Sequence, residues 1–162
     1  MKVRQSILQL SACLMLAISS ILSASAQSPV AAPGWTSLGI MPAPTWDGKT
    51  LLFQSNQGTL AITPLANDVF RVRFTIQPAF GRDHSYAVIN RDVGTLHVKA
   101  DIGSAAATLT TPSLKVTVQY APLRISFANA SGEVLDADDP GRGMSFADSE
   151  FRIAKQLHVT TC

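Results

Sequence analysis

The sequence has little cysteine and little charge, and each shortage excludes a class of protein. Two cysteines occur in 162 residues, Cys13 and Cys162. Residues 1–26 read as an export signal, so a processed chain keeps only Cys162. That excludes an internal disulfide and a cysteine-based metal site. Charged residues make up 15% of the chain, thirteen basic against eleven acidic. The basic excess of two is matched by Lys2 and Arg4 inside the signal, so the remainder is neutral with histidine uncharged. Nucleic-acid surfaces need clustered excess Lys and Arg, and this sequence has no such cluster. Long apolar runs are also missing. The stretch Ile7–Leu22 is broken by Gln9, Ser11, Ser19 and Ser20, whereas a stable membrane span needs ~20 mostly apolar residues.

Signatures of common chemistries are absent as well. The sequence has no G-x-S-x-G nucleophile elbow, no Walker loop and no dinucleotide fingerprint. His84, His97 and His158 lie in separate segments, none at metal-ligand spacing. His97, between Leu96 and Val98, is expected on the solvent face of a strand. Asp136, Asp138 and Asp139 cluster before Pro140-Gly141-Arg142-Gly143. A calcium loop would need a distal glutamate that is missing, so a solvated acidic turn is expected. Asp148 and Glu150 flank a strand start. No carboxylate pair has the split environments that acid–base work requires. Catalytic, cofactor-binding and metal-binding residues are therefore assigned to no position.

Three segments can be distinguished. Residues 1–26 combine a basic start, an apolar stretch and the small-residue site Ala24-Ser25-Ala26, and imply export to the periplasm or beyond. Leu10-Ser11-Ala12-Cys13 resembles a lipoprotein box, but the apolar run continues past Cys13 through Ile18. Residues 27–49 form a Pro/Ala-rich leader. Pro29, Pro33, Pro42 and Pro44 are expected to deny it regular hydrogen-bonded structure. Trp35 and Trp46 would pin it to the domain by packing, or serve as sugar-stacking platforms.

Residues 50–162 have period two. In Asp68–Ile76, Phe70, Val72, Phe74 and Ile76 share one face, with Arg71, Arg73 and Thr75 on the other. In Ser113–Tyr120, Leu114, Val116, Val118 and Tyr120 point inward. Pro122–Ala128 repeats the pattern with Leu123, Ile125 and Phe127. Shorter strands are expected at Thr50–Gln54, Thr59–Thr63, Thr95–Ala100, Ala107–Thr110, Glu133–Asp136 and Glu150–Ala154. Turn residues separate them: Asn56-Gln57-Gly58, Ala66-Asn67-Asp68, and Asn129-Ala130-Ser131-Gly132 with Gly132 suited to positive φ. Asn129-Ala130-Ser131 also matches a glycosylation sequon, which the hairpin turn explains better. Many short strands and no helical stripe predict an all-β antiparallel sandwich. The loop Phe80–Tyr86 mixes Arg82, Asp83 and His84 with aromatics. It reads as a polar loop with aromatic anchors, and as a candidate sugar contact.

Three stretches resemble glycoside hydrolase family 31, the α-glucosidases and α-xylosidases. They are GTLAITPLANDVFRVRFT (Gly58–Thr75), SLKVTVQYAPLRISFANASGEVL (Ser113–Leu135) and the run from Gly143 through His158. The resemblance implies a galactose mutarotase-like super-sandwich whose partner in the family is a (β/α)₈ catalytic barrel. The sequence stops where the family's Y/F-G-L-G-E/D motif is expected, so the resemblance implies no catalytic residue and no cofactor here. It implies a non-catalytic N-terminal domain, a fragment of an exported α-glycosidase. The alternatives are a stand-alone secreted carbohydrate-binding sandwich, with an oligosaccharide as partner, and a protein-interaction sandwich.

Overall fold

A computed structural model describes residues 34–82, 96–148 and 150–156, and the statements below concern these residues. They form β1 (Thr36–Ser37), β2 (Thr45–Trp46), β3 (Leu51–Ser55), β4 (Gly58–Ala66), β5 (Val69–Thr75), β6 (Lys99–Ile102), β7 (Ala106–Thr110), β8 (Leu114–Tyr120), β9 (Leu123–Asn129), β10 (Val134–Ala137), β11 (Met144–Ala147) and β12 (Glu150–Ile153). No described residue is helical, so no helix is long and apolar enough to cross a membrane. All pairings are antiparallel and make three sheets, ordered β1-β11-β12, β10-β9-β8-β7-β6 and β2-β3-β4-β5. The fold is the expected all-β antiparallel sandwich.

The four-stranded and five-stranded sheets face each other across the core. Alternation decides which side chains enter it. Leu51 and Phe53 of β3, with Leu60 and Ile62 of β4, come from one side. Ala107 and Leu109 of β7, Val116, Val118 and Tyr120 of β8, and Leu123 and Ile125 of β9 come from the other. Phe53 meets Tyr120 edge-on across the layers, ring centroids 6.0 Å apart. The Tyr120 hydroxyl still reaches the Gly103 carbonyl at 3.2 Å, so its polar end is satisfied. One end of the sandwich is tied by Thr111. Its Oγ1 donates to the Asn67 carbonyl at 2.5 Å and accepts the Leu114 N–H at 3.0 Å. Strand β4 runs further than the pattern suggests, through Pro64, because the register shifts there and absorbs a residue that cannot donate.

The described part of the stretch expected to lack regular structure, residues 34–49, contacts all three sheets. β1 pairs with β11 and β2 with β3. Between them the Leu38 N–H bonds to the Met144 carbonyl, the Gly39 carbonyl accepts from Leu123, and the Met41 N–H bonds to the Tyr120 carbonyl. Leu38 and Met41 are only 1% and 2% exposed. Prolines did not prevent this, because Pro42 and Pro44 fall in the irregular segment between β1 and β2. Strand β11 was not anticipated either; a four-residue stretch, Met-Ser-Phe-Ala, is too short to show a period that stands out.

Buried ions fasten the chain where it leaves β12. Ala154 to Gln156 cross to the five-stranded sheet: Ala154 O accepts from Asp139 N, and Gln156 N donates to Ala137 O. An isolated bridge joins Asp138 to Lys155. The Lys155 ammonium lies 2.7 Å from Asp136 Oδ2 and 3.0 Å from Asp138 Oδ1. Asp138 is not solvated as expected; it is 5% exposed. Its Oδ2 accepts the Ile125 N–H at 2.8 Å. Its Oδ1 makes no well-aligned hydrogen bond and is balanced by the Lys155 charge alone. Arg124, on the outward side of β9 by alternation, is also buried. Its guanidinium donates to the Pro140 carbonyl at 2.8 and 3.2 Å and to the Leu123 carbonyl at 2.6 Å. Burial pushes this guanidinium below its ordinary value, and Asp138 and Asp139 push it back. Gly143, at φ +56°, lets it lie there, since a Cβ at that position would collide with Arg124.

Two stability tests follow from this packing. Leu38→Ala should cost about 2–5 kcal/mol in urea unfolding, as for any buried leucine, while Ile40→Ala, at a residue 70% exposed, should stay within about 0.5 kcal/mol. Asp138→Ala should cost about 3 kcal/mol by stranding the Ile125 N–H and part of the Lys155 charge, and Asp136→Ala less than about 1 kcal/mol. Burial alone would lower the Lys155 ammonium, but its bonds to Asp136 and Asp138 outweigh that and hold it raised. A raised folded value contributes fully below the unfolded one and is lost as pH rises through the folded one. Burial and Asp101 raise the Tyr120 phenol too, which steepens the same alkaline limb. Lys155→Met should therefore flatten, without abolishing, the loss of stability above pH ~10.5.

Candidate functional site

The three-stranded sheet has two unlike faces, and its free margin is the candidate site. Register places Leu38, Met144, Phe146, Phe151 and Ile153 on its inner face. Their burial falls steadily toward the margin. Leu38 and Met144 are buried, Phe146 is half-buried, and Phe151 and Ile153 are 45% and 50% exposed. The apolar face thus runs out beyond the sandwich. Phe74 of β5 anchors it. The Phe74 ring lies 5.3 Å from Phe151, edge-on, and 6.4 Å from Phe146. Gly58 makes room for that ring: it has φ +151°, and a Cβ there would sit 2.5 Å from Phe74 Cζ. β5 is itself a sheet edge, and none of its residues is fully buried.

The outer face of this sheet carries Trp35, Glu150 and Arg152. The Arg152 guanidinium stacks on the Trp35 ring at 3.6 Å from its centroid. One face of Trp35 is therefore occupied. Trp46 packs against the core. Both tryptophans thus have packing partners, which is the first of the two fates considered for them. Of the loop Phe80–Tyr86, Asp83, His84, Ser85 and Tyr86 lie outside the described residues. Phe80 is capped by Arg73, whose Cζ is 4.5 Å from the ring centroid and whose Nη2 donates to the Gly81 carbonyl at 3.0 Å. Phe80 is thus tied to β5 through Arg73.

The remaining sequence candidates do not converge. His97 is exposed, and His84, His158 and Cys162 lie outside the described residues. Asp139 Oδ1 accepts from the Gly141 and Arg142 N–H groups at 3.0 and 2.9 Å and closes its own turn. Asn129 Oδ1 accepts from the N–H groups of Ser131 and Glu133 and from the Ser131 hydroxyl. The sequon asparagine is thus the cap of the hairpin, with Gly132 at φ +88°. Asp148, at φ +50°, occupies the β11–β12 turn beside Glu150. No three described His, Cys, Asp or Glu residues are grouped to hold a metal ion. Period two reveals that Phe151 and Ile153 share a face, but not that β12 ends a sheet; sheet order leaves no local trace in sequence.

Residues 59–160 match the model of the glycosyl hydrolase 31 N-terminal galactose mutarotase-like domain. No curated protein matches the chain. Among solved structures, it is similar to the GH31 dextranase of Flavobacterium johnsoniae complexed with isomaltotriose, at 22% identity and TM-score 0.66. That likeness covers 75% of this chain and 15% of the dextranase. It is also similar to the cycloalternan-forming enzyme of Listeria monocytogenes in complex with a pentasaccharide substrate, at 14% identity and TM-score 0.51. There the coverage is 68% of this chain and 10% of the enzyme. At these identities the neighbours establish the fold, and the chain spans a small part of their length. The family match extends over more than half of the sequence and agrees with the sandwich described above: the chain belongs to the glycosyl hydrolase 31 N-terminal galactose mutarotase-like domain family.

Proposed function

We propose that this chain is the non-catalytic N-terminal domain of an exported family 31 α-glycosidase, supporting a (β/α)₈ barrel that carries the chemistry. An oligosaccharide is the substrate class assigned to that whole enzyme. The observation that supports a non-catalytic role is the use of the carboxylates. Glycoside hydrolysis needs two carboxyl groups facing one bond, with pKa values driven apart. Asp136 and Asp138 are committed to one lysine. Asp47 Oδ1 accepts from the Thr50 and Lys49 N–H groups, which hold its carboxyl below the ordinary value. For Asp139 a small loss of hydration acts upward, but the Arg142 and Gly141 N–H groups outweigh it and hold the carboxyl low. Asp47 and Asp139 thus close turns while Asp136 and Asp138 bind a cation, so these four carboxylates are already committed to structural contacts.

A sugar-binding role has less support. Its best platforms, Trp35 and Phe80, are already stacked with arginines. The test is direct. Purified protein should cleave aryl α-glucosides and α-xylosides no faster than buffer, and should give no heat with malto- or xylo-oligosaccharides at millimolar concentration. Turnover that follows the protein through every purification step would overturn the non-catalytic reading, and saturable heat would move sugar binding to first place.

A further inference from the structure

Strand β12 is an open edge whose own sequence is self-complementary. The Ala154 N–H bonds to the Gly143 carbonyl at 2.9 Å and continues the β11–β12 register. By antiparallel alternation, the backbone groups of Arg152 and Glu150 therefore point to β11, and those of Phe151 and Ile153 point to the free edge. The opposite side of β11 agrees: the Met144 carbonyl accepts from Leu38 and is turned toward β1. Among the described residues no strand lies along the free edge of β12. All four of its residues are exposed.

We propose that a second copy of this chain occupies that edge, β12 pairing antiparallel with β12 about a twofold axis through Phe151. Such an axis makes Phe151 face Phe151 of the other copy in a hydrogen-bonded pair, because its N–H and C=O already point outward. It then sets Glu150 opposite Arg152 of the other copy, and Arg152 opposite its Glu150. Both ion pairs fall on the outer sheet face, where Arg152 is held by Trp35. On the inner face the two Phe151 rings cover each other beside Phe74, the exposed end of the apolar row. A shift that centres the axis on Arg152 still pairs outward-pointing backbone groups, Phe151 with Ile153 of the other copy, but sets two arginines opposite each other at the seam. The charges that would guard this edge against other strands thus favour one register with a copy of itself. The strand is short and the contact smaller than the ~1,200 Å² of a stable complex, so the dimer is weak and concentration-dependent.

Sedimentation equilibrium from micromolar to millimolar protein tests this. The apparent mass should rise from one chain toward two. Glu150→Arg, which places arginines opposite each other twice, should weaken association at least ~10-fold. The double variant Glu150→Arg with Arg152→Glu restores opposite charges and should bring association back to near the parent value. Phe151→Lys should stay monomeric throughout. Near-UV circular dichroism identifies any variant that fails to fold, and association is compared only among those that keep the parent spectrum. A parent protein that stays monomeric into the millimolar range overturns the proposal. So does a folded Glu150→Arg protein that associates as well as the parent, or a folded double variant that does not recover.

Discussion

The sandwich depends on the segment from Trp35 to Trp46, which must satisfy its backbone while passing between sheets. A chain leaving one sheet carries donors and acceptors that cannot be buried unpaired. Here the Leu38 N–H, the Gly39 carbonyl and the Met41 N–H each find a partner on a different strand, β11, β9 and β8. Those bonds pull Leu38 and Met41 into the core, where they close the space among the three sheets. β1 then starts the small sheet and β2 ends the four-stranded one. Without this segment the three-stranded sheet would lose its first strand, and the interior would open along its length.

A second constraint acts where the chain leaves β12. Arg124 and Asp138 are buried beside a tight turn at Asp139–Gly143, and Lys155 joins Asp138 from the crossing segment. Buried charges of this kind contribute little net stability but strongly penalise any arrangement that separates them. They hold the crossing in one register, which in turn sets β12 at the margin with Phe151 and Ile153 uncovered.

What was legible in the sequence follows from what periodicity can carry. β8 matches its expected pattern, with Val116, Val118 and Tyr120 buried and Lys115 and Gln119 exposed. β3, β4, β7 and β10 lie within one to three residues of their expected ends. Alternation failed at Arg124, which stands where a solvent-facing residue was expected. It is covered by the Pro140 turn, sixteen residues away, and no local pattern reports a contact at that range. β1 and β2, of two residues each, are too short to show a period. The family resemblance, carried by the order of three weak motifs, was sound because spacing along the chain reflects the whole fold. The site was less legible, since a free edge is a property of sheet order and that is settled by contacts distant in sequence.

The central claim is that the segment Trp35 to Trp46 is an integral part of the sandwich, and amide hydrogen exchange tests it most directly. If the account is right, the Leu38, Met41 and Leu123 amides exchange only through global unfolding, as slowly as those of Val116 and Val118. If Leu38 and Met41 instead exchange at loop rates while β8 stays protected, the segment opens independently and the sandwich does not depend on it.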